Sequence, residues 1–343
     1  MSACPAVTIE PAAGDAVAEA VLASSALPYH DPRWWQVLTD TWPRLTIEPY
    51  AIVSGGERQG FIPLMSLAVK GFRMVGSPLR GFYTPYLGPV YTTQQGLPLV
   101  QLWEALRASL RADILQLSLP PNGDAGALLA EDCKRTAVVD ARCAPTELWN
   151  SLKESTRRQV RKATREGVVT AWTSPDEETI AAYHALVVRT FARQGLPPPA
   201  PRAFYTNLYA GLGEAGGARF LAAYGEDRLI AAGIYLLGED TIFGVDGAFD
   251  RECASLRASS LIEWETIMWA HERGCRYDMV GAEIEGIAAF KRSFGAEVVG
   301  YLSRSRCITL KGRLGLSVYQ LIKHVFCTGG WKSMLAGSAD SGR

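Results

Sequence analysis

Lys291 has the clearest chemical reach in the chain. In the run GIAAFKRSFG it is bracketed by Phe290 and Phe294, so its stem would be packed while its ammonium faces a cleft. A cation beside a carbonyl under attack stabilises the oxyanion that develops there. The same run also reads as an amphipathic helix with Lys291 and Arg292 on its surface, and on residues alone both readings stand. The second feature is the segment SLKESTRRQVRKATREG. Arg157, Arg161 and Arg165 recur at i, i+4 and i+8, and Arg158 and Lys162 form a neighbouring row on the same helix. Such a strip can hold successive phosphates of RNA or of a nucleotide sugar, with arginine offering a bidentate fork. The alternative is a solvated face paired with Glu154 and Glu166.

Composition narrows the setting. The chain has 343 residues, 48% of them hydrophobic, with 35 Lys and Arg balanced by 35 Asp and Glu. That balance excludes a disordered chain and a protein basic over its whole surface, so any polyanion site must be local. The length corresponds to roughly two domains. The longest apolar stretches, such as Ile230–Leu237, are far too short to span a bilayer. The N-terminal stretch has Glu10 and Asp15 where a secretory leader would be apolar, and a cytoplasmic location is expected. The seven cysteines form no CxxC pair and read as reduced thiols, and the four histidines lie too far apart for a metal site; no metal or cofactor is expected.

Local patterns supply the elements that must position these groups. Asp31 followed by Pro32 suits the start of a short helix over 31–42. YAIVSGGERQGFIPLMSLAV predicts two strands around a Gly-Gly turn, and SPLRGFYTPYLGPVY a loop. A helix over Leu99–Leu110 and a strand over Ile114–Leu119 follow. The run FLAAYGEDRLIAAGIYLLGEDTIFGVDGAF predicts three strands with two turns. A helix from about Ser255 to His271, ended by Gly274, and a strand over Arg276–Val280 come after it. The turn at Glu57 and that at Glu226 are offset by 169 residues, and the helix and next strand recur at offsets near 160, which implies an internal duplication of an α/β unit. Between the halves, Pro145–Glu166 reads as one charged helix and LPPPAP as a stiff connection. Leu310–Cys327 reads as an amphipathic helix docked on the second half.

Three stretches, STRRQVRKATREG, FARQGLP and the run from FLAAYGEDRLIAAG through FKRSFGAEVVGYLSR, together resemble the FemAB-like aminoacyltransferases, which share the GNAT fold. The resemblance covers roughly residues 30–305, and FKRSFG followed by a strand is its most specific part. It implies an α/β chain with mixed sheets and two tandem GNAT-like domains, drawn as 1–145 and 146–330 with a flexible tail over 331–343. It also implies an amide-forming enzyme that moves an aminoacyl group from aminoacyl-tRNA to an amine on a cell-wall precursor or a small peptide intermediate. Phe290 and Lys291 would then lie beside the ester, and the basic helix would contact tRNA phosphates. The chain lacks the long coiled-coil insertion that some members carry.

Ordinary GNAT enzymes hold the pyrophosphate of acetyl-CoA on a glycine-rich turn at a helix N-terminus. The matching stretch here, SLRASSLIEW, keeps Arg257 but has Ala258, Ser259 and Ser260 in place of glycines, and their Cβ atoms restrict a close approach. An aminoacyl ester is already activated, and an α-amino acceptor is partly free base at neutral pH, so no strong general base is demanded. Asp246, Glu283 and Glu285 are candidates for gripping the acceptor ammonium or relaying its proton, or else are solvated turn acids. Arg80, Tyr83 and Tyr86 either line the acceptor cleft or pack a turn. Two other readings remain: the same fold with a CoA or carrier-protein thioester, and a non-catalytic RNA- or anion-binding module.

Overall fold

A computed structural model of the chain describes residues 6–12, 27–92, 96–121 and 132–314. In chain order the elements are β1 (Val7–Pro11), α1 (Pro32–Thr41), β2 (Leu45–Ser54), β3 (Glu57–Val69), β4 (Phe72–Ser77), β5 (Val90–Tyr91), α2 (Leu99–Ser109) and β6 (Ile114–Ser118). There follow β7 (Cys133–Asp140), α3 (Pro145–Ser151), α4 (Glu154–Arg165), β8 (Val169–Thr173), α5 (Glu177–Ala192) and α6 (Arg202–Leu208). The last are β9 (Ala218–Gly225), β10 (Arg228–Leu237), β11 (Thr241–Phe249), α7 (Ala258–Glu272), β12 (Arg276–Asp278), α8 (Glu285–Arg292) and β13 (Glu297–Cys307).

The described residues form two compact units, one from residues up to 133 together with 301–314, the other from 134–300. The expected boundary at 145/146 therefore lies inside the second unit, and the chain returns to the first unit with β13. Beyond position 314, the anticipated amphipathic helix and the tail lie outside the described residues.

Each unit repeats one plan, as the offsets predict. In the first, β2, β3 and β4 form an antiparallel meander, α2 crosses over, and β6 returns parallel to β4. In the second, β9, β10 and β11 form the meander, α7 crosses over, and β12 returns parallel to β11. Both first hairpins turn on two residues with positive φ, Gly55 and Gly56 in one and Glu226 and Asp227 in the other. Two such residues give the turn whose twist matches that of the flanking strands. Outer strands β1 and β8 pair antiparallel with β2 and β9. The antiparallel partner of β6 is β13, and that of β12 is β7, so neither unit takes its closing strand from the segment directly after its parallel strand.

Each crossover helix buries an apolar face on its own sheet, the main source of stability for a helix of this length. Leu102 and Leu106 of α2 pack with Ile62, Val75, Leu115 and Leu302. Leu261, Ile262 and Ile267 of α7 pack with Leu221, Ile230, Tyr235, Ile242 and Tyr277. The Asp31 carboxylate caps α1 by accepting the Arg33 amide at 2.8 Å, as its sequence predicts.

Three sequence expectations are corrected. The charged helix over Pro145–Glu166 is two helices, because Leu152 turns extended to bury its side chain and the Lys153 amide donates to the carbonyl of Ser293 at 2.9 Å. The helix expected from Ser255 starts at Ala258, after a 3-10 turn over Arg251–Leu256 and a left-handed Arg257, φ +61°. The strand expected to reach Val280 stops at Asp278, since Val280 has φ +56° and cannot continue a ladder. Strands β1, β4, β7 and β8 and helices α5 and α6 had no counterpart in the sequence reading.

Gly295, which closes FKRSFG, shows why that run has its form. Its φ is +82°, and a Cβ there would collide with Ser151 Oγ and Cβ at the end of α3. Gly295→Ala is expected to cost about 1–3 kcal/mol through left-handed strain and overpacking, read as a lowered urea midpoint at unchanged m.

Candidate active site

The second unit opens where its two parallel strands part. Register holds from Thr241 opposite Arg276 to Phe243 opposite Asp278, after which β11 runs on to Phe249 and the chain leaves β12 through Val280 and Gly281. A cleft of about 730 Å³ fills the gap, at the carboxyl ends of the strands, where α/β sheets take ligands. Its walls come from β10, β11, the first turn of α7, Met279–Gly281 and two residues of α8, Phe290 and Lys291.

One rim carries the first turn of α7, which has no side-chain cap. Ser260 on that turn donates to Oε1 of Gln159 on α4 at 2.8 Å, and Gln159 itself lines the cleft. The basic helix is therefore bonded to the mouth. On the opposite strand Asp246 is held by two donors, the Tyr205 hydroxyl at 2.6 Å and the Gly247 amide at 2.9 Å.

The floor is a set of poorly solvated ionisable groups. Tyr277 donates to Glu263 at 2.9 Å, and the hydroxyls of Tyr235 and Thr266 are 2.8 Å apart. Burial pushes the Glu263 carboxyl up and both phenols further above their ordinary range. Outside the cleft lining, Asp278 is buried and accepts from the Val280 amide at 2.8 Å and from the Thr136 hydroxyl; burial raises its carboxyl to about 7, against the opposing pull of that amide and of Lys291. The Lys291 ammonium donates to the carbonyls of Met279 at 2.7 Å, Gly281 at 2.8 Å and Val280. Burial lowers its pKa while Glu263 and Asp278 raise it.

Four of the residues expected from sequence thus line one cleft: Asp246, Arg257, Phe290 and Lys291. Glu283 and Glu285 do not. Glu283 accepts the Arg135 amide, tying the loop before α8 to β7, and Glu285 pairs with Arg292 along α8. In the first unit, Arg80 donates to the Ser303 carbonyl at 2.6 Å and to its hydroxyl at 3.1 Å. Tyr83 is a turn residue with φ +53°, and Tyr86 is buried edge-on to Tyr29 and Tyr301. These three serve packing and turn formation there.

The basic strip on α4 is unevenly committed. Arg157 is bonded to the Asn150 carbonyl at 3.1 Å, Arg158 and Arg165 make exposed pairs with Glu154 and Glu166, and Arg161 lies over the Trp149 ring. Exposed pairs of this kind contribute under about 1 kcal/mol, so Arg158 and Arg165 can exchange partners readily. Sequence reading missed Glu263, Asp278 and Gln159. The available signal was an acid inside an apolar run, SLIEW for Glu263 and YDMV for Asp278.

Residues 150–292 match the family of acetyltransferase (GNAT) domains, a span that contains every residue lining the cleft. No curated protein matches. Among solved structures, FemX is similar at 15% identity and TM-score 0.65, covering 92% of this chain and 99% of its own. A tandem GNAT protein from the clavulanic acid biosynthesis pathway is similar at 13% identity and TM-score 0.55, covering 88% and 99%. L-PGS from Bacillus licheniformis is similar at 12% identity and TM-score 0.52, covering 92% and 98%. The fold is thus the mixed α/β fold of tandem GNAT proteins.

Proposed function

We propose that this chain, whose residues 150–292 are a GNAT acyltransferase domain, forms an amide by moving an aminoacyl group from the ester of an aminoacyl-tRNA to an amine acceptor. The observation that carries the reading is a cleft lined by Asp246, whose mouth is bonded through Gln159 to a helix of exposed cations. The first feature suits an ammonium-bearing group and the second a polyanionic carrier held outside. FemX and L-PGS, with the same fold, are consistent with it.

In the transfer the neutral amine attacks the ester carbonyl, a tetrahedral oxyanion forms, and the C–O bond to the ribose breaks. The leaving ribose oxygen takes the proton that the amine gives up. Asp246, fixed by Tyr205 and the Gly247 amide, accepts an N–H of the neutral amine, formed when the acceptor ammonium has given one proton to water, and so sets the direction of attack. Phe290 forms an apolar wall beside the carbonyl. Lys291 shapes the adjoining wall by gathering the carbonyls of residues 279–281.

The test is incubation with charged total tRNA and a panel of amines, read by mass spectrometry. An amide product that vanishes after ribonuclease treatment is expected; a product that persists rejects the tRNA donor. Asp246→Asn is expected to raise KM for the amine about tenfold, a loss of about 1.4 kcal/mol, with a smaller change in kcat. A second reading, a thioester on CoA or a carrier protein, has one observation in its favour. The uncapped first turn of α7 beside Arg257 opens on the cleft and can take a phosphate. Thermal-shift titration with CoA separates the two: stabilisation in the micromolar range supports the thioester.

A further inference from the structure

A separate groove of about 430 Å³ lies between α4 and α7. Trp149 and Trp264 meet there edge to face, ring centroids 4.9 Å apart, and the Arg161 guanidinium sits 5.2 Å from the Trp149 centroid. Arg165 completes the rim, and Val160 and Leu261 form the base. Both indoles are half-buried. The acid at the groove is Glu265, whose carboxyl is pushed up by burial and by Glu272.

We infer that this groove is a stacking site for an unpaired nucleobase of a single-stranded RNA end, with Arg161 and Arg165 holding the adjoining phosphates. Aromatic rings and arginine planes are the surfaces on which splayed bases stack, and a basic strip tracks the backbone between them. Charge complementarity selects the occupant. On α4 the groove is lined by the exposed cations Arg161 and Arg165 with the neutral Thr164 between them, Arg158 lies one turn before, and the paired acids Glu154 and Glu166 stand at the helix ends. The inference deepens the tRNA reading by giving the carrier's unpaired end a place on α4, the helix that Gln159 bonds to the cleft mouth.

Fluorescence anisotropy with a short labelled, uncharged single-stranded RNA tests it on the full chain. Binding is expected to weaken about tenfold in Trp149→Ala and to lose about one unit of salt slope in Arg161→Gln and again in Arg165→Gln. An abasic strand of the same length is expected to bind about tenfold more weakly than the base-bearing one. Because Trp149 also packs on the core, the arginine variants and the abasic strand carry the test if Trp149→Ala lowers the melting temperature. Equal affinity for abasic and normal strands overturns the stacking site. So does anionic-vesicle binding with the same variant dependence and no RNA binding. RNA binding with ribonuclease-resistant amide formation keeps this site and sinks the tRNA donor; ribonuclease-sensitive transfer with no variant effect on RNA binding does the reverse.

Discussion

Lys291→Met is expected to cost the second unit about 3–5 kcal/mol and to lower kcat for acyl transfer by about 100-fold. An ammonium has three donors and no acceptor, and here all three go to consecutive backbone carbonyls, those of residues 279–281. The segment they hold is costly to form. Val280 is β-branched with φ +56°, a conformation that persists only where its surroundings over-determine it. Methionine keeps the stem but leaves three carbonyls without their donor and leaves Asp278 and Glu263 without the cation that faces them. The wall of the cleft should then relax, and a displacement near 1 Å is enough for the rate effect. Urea denaturation gives the first number, steady-state transfer the second, and hydrogen exchange over residues 279–284 locates the change. Lys291→Arg should recover only part of either, because a planar fork does not match three carbonyls converging on one point. Lost turnover with unchanged stability and unchanged exchange would show instead that the ammonium acts on the substrate itself.

This clasp also marks what the sequence could and could not disclose. The packed stem of Lys291 was readable from Phe290 and Phe294, because helical spacing sets which side chains flank a stem. The target of the ammonium was not, because it depends on a loop whose course follows from Val280, a residue with no turn preference. The duplication was legible for a similar reason. Paired β-branched runs around short turns and a crossover helix are local patterns, and they recur at fixed offsets in β2–β6 and β9–β12. The exchange of closing strands was hidden, since β7 and β13 pair far along the chain with β12 and β6. Glu283 and Glu285 show the limit for single residues. Both are acids beside the cleft in sequence, yet one is satisfied by the Arg135 amide and the other by Arg292. Asp246 looks no different in sequence, and it is the Tyr205 hydroxyl, brought from α6, together with the Gly247 amide that holds it at the cleft.

Asp278 makes the second large prediction, a fall in stability as pH rises from about 4 to about 7. Its carboxyl titrates near 3.9 in an unfolded chain and is raised to about 7 in the fold, chiefly by burial. Between those values the native state holds a proton that the unfolded state has released, so the slope of unfolding free energy against pH is negative. The contribution is fully present below about 4 and is lost as pH passes the folded value. A gap of about three pKa units sets its size at no more than about 4 kcal/mol. Asp278→Asn removes the titration while keeping an oxygen to accept from the Val280 amide and the Thr136 hydroxyl. The variant should come nearest to the parent near pH 4 and exceed its stability near pH 8, by an amount that grows through the interval. Urea denaturation across that range measures the difference, and a constant offset would mean that Asp278 is ionised throughout. In that case the Lys291 ammonium would be pairing with a full charge beneath the clasp, and Lys291→Met should destabilise equally at pH 8 and at pH 5. If Asp278 is neutral at the lower pH, the same comparison should show the loss already reduced there, which ties the two measurements to one buried pair.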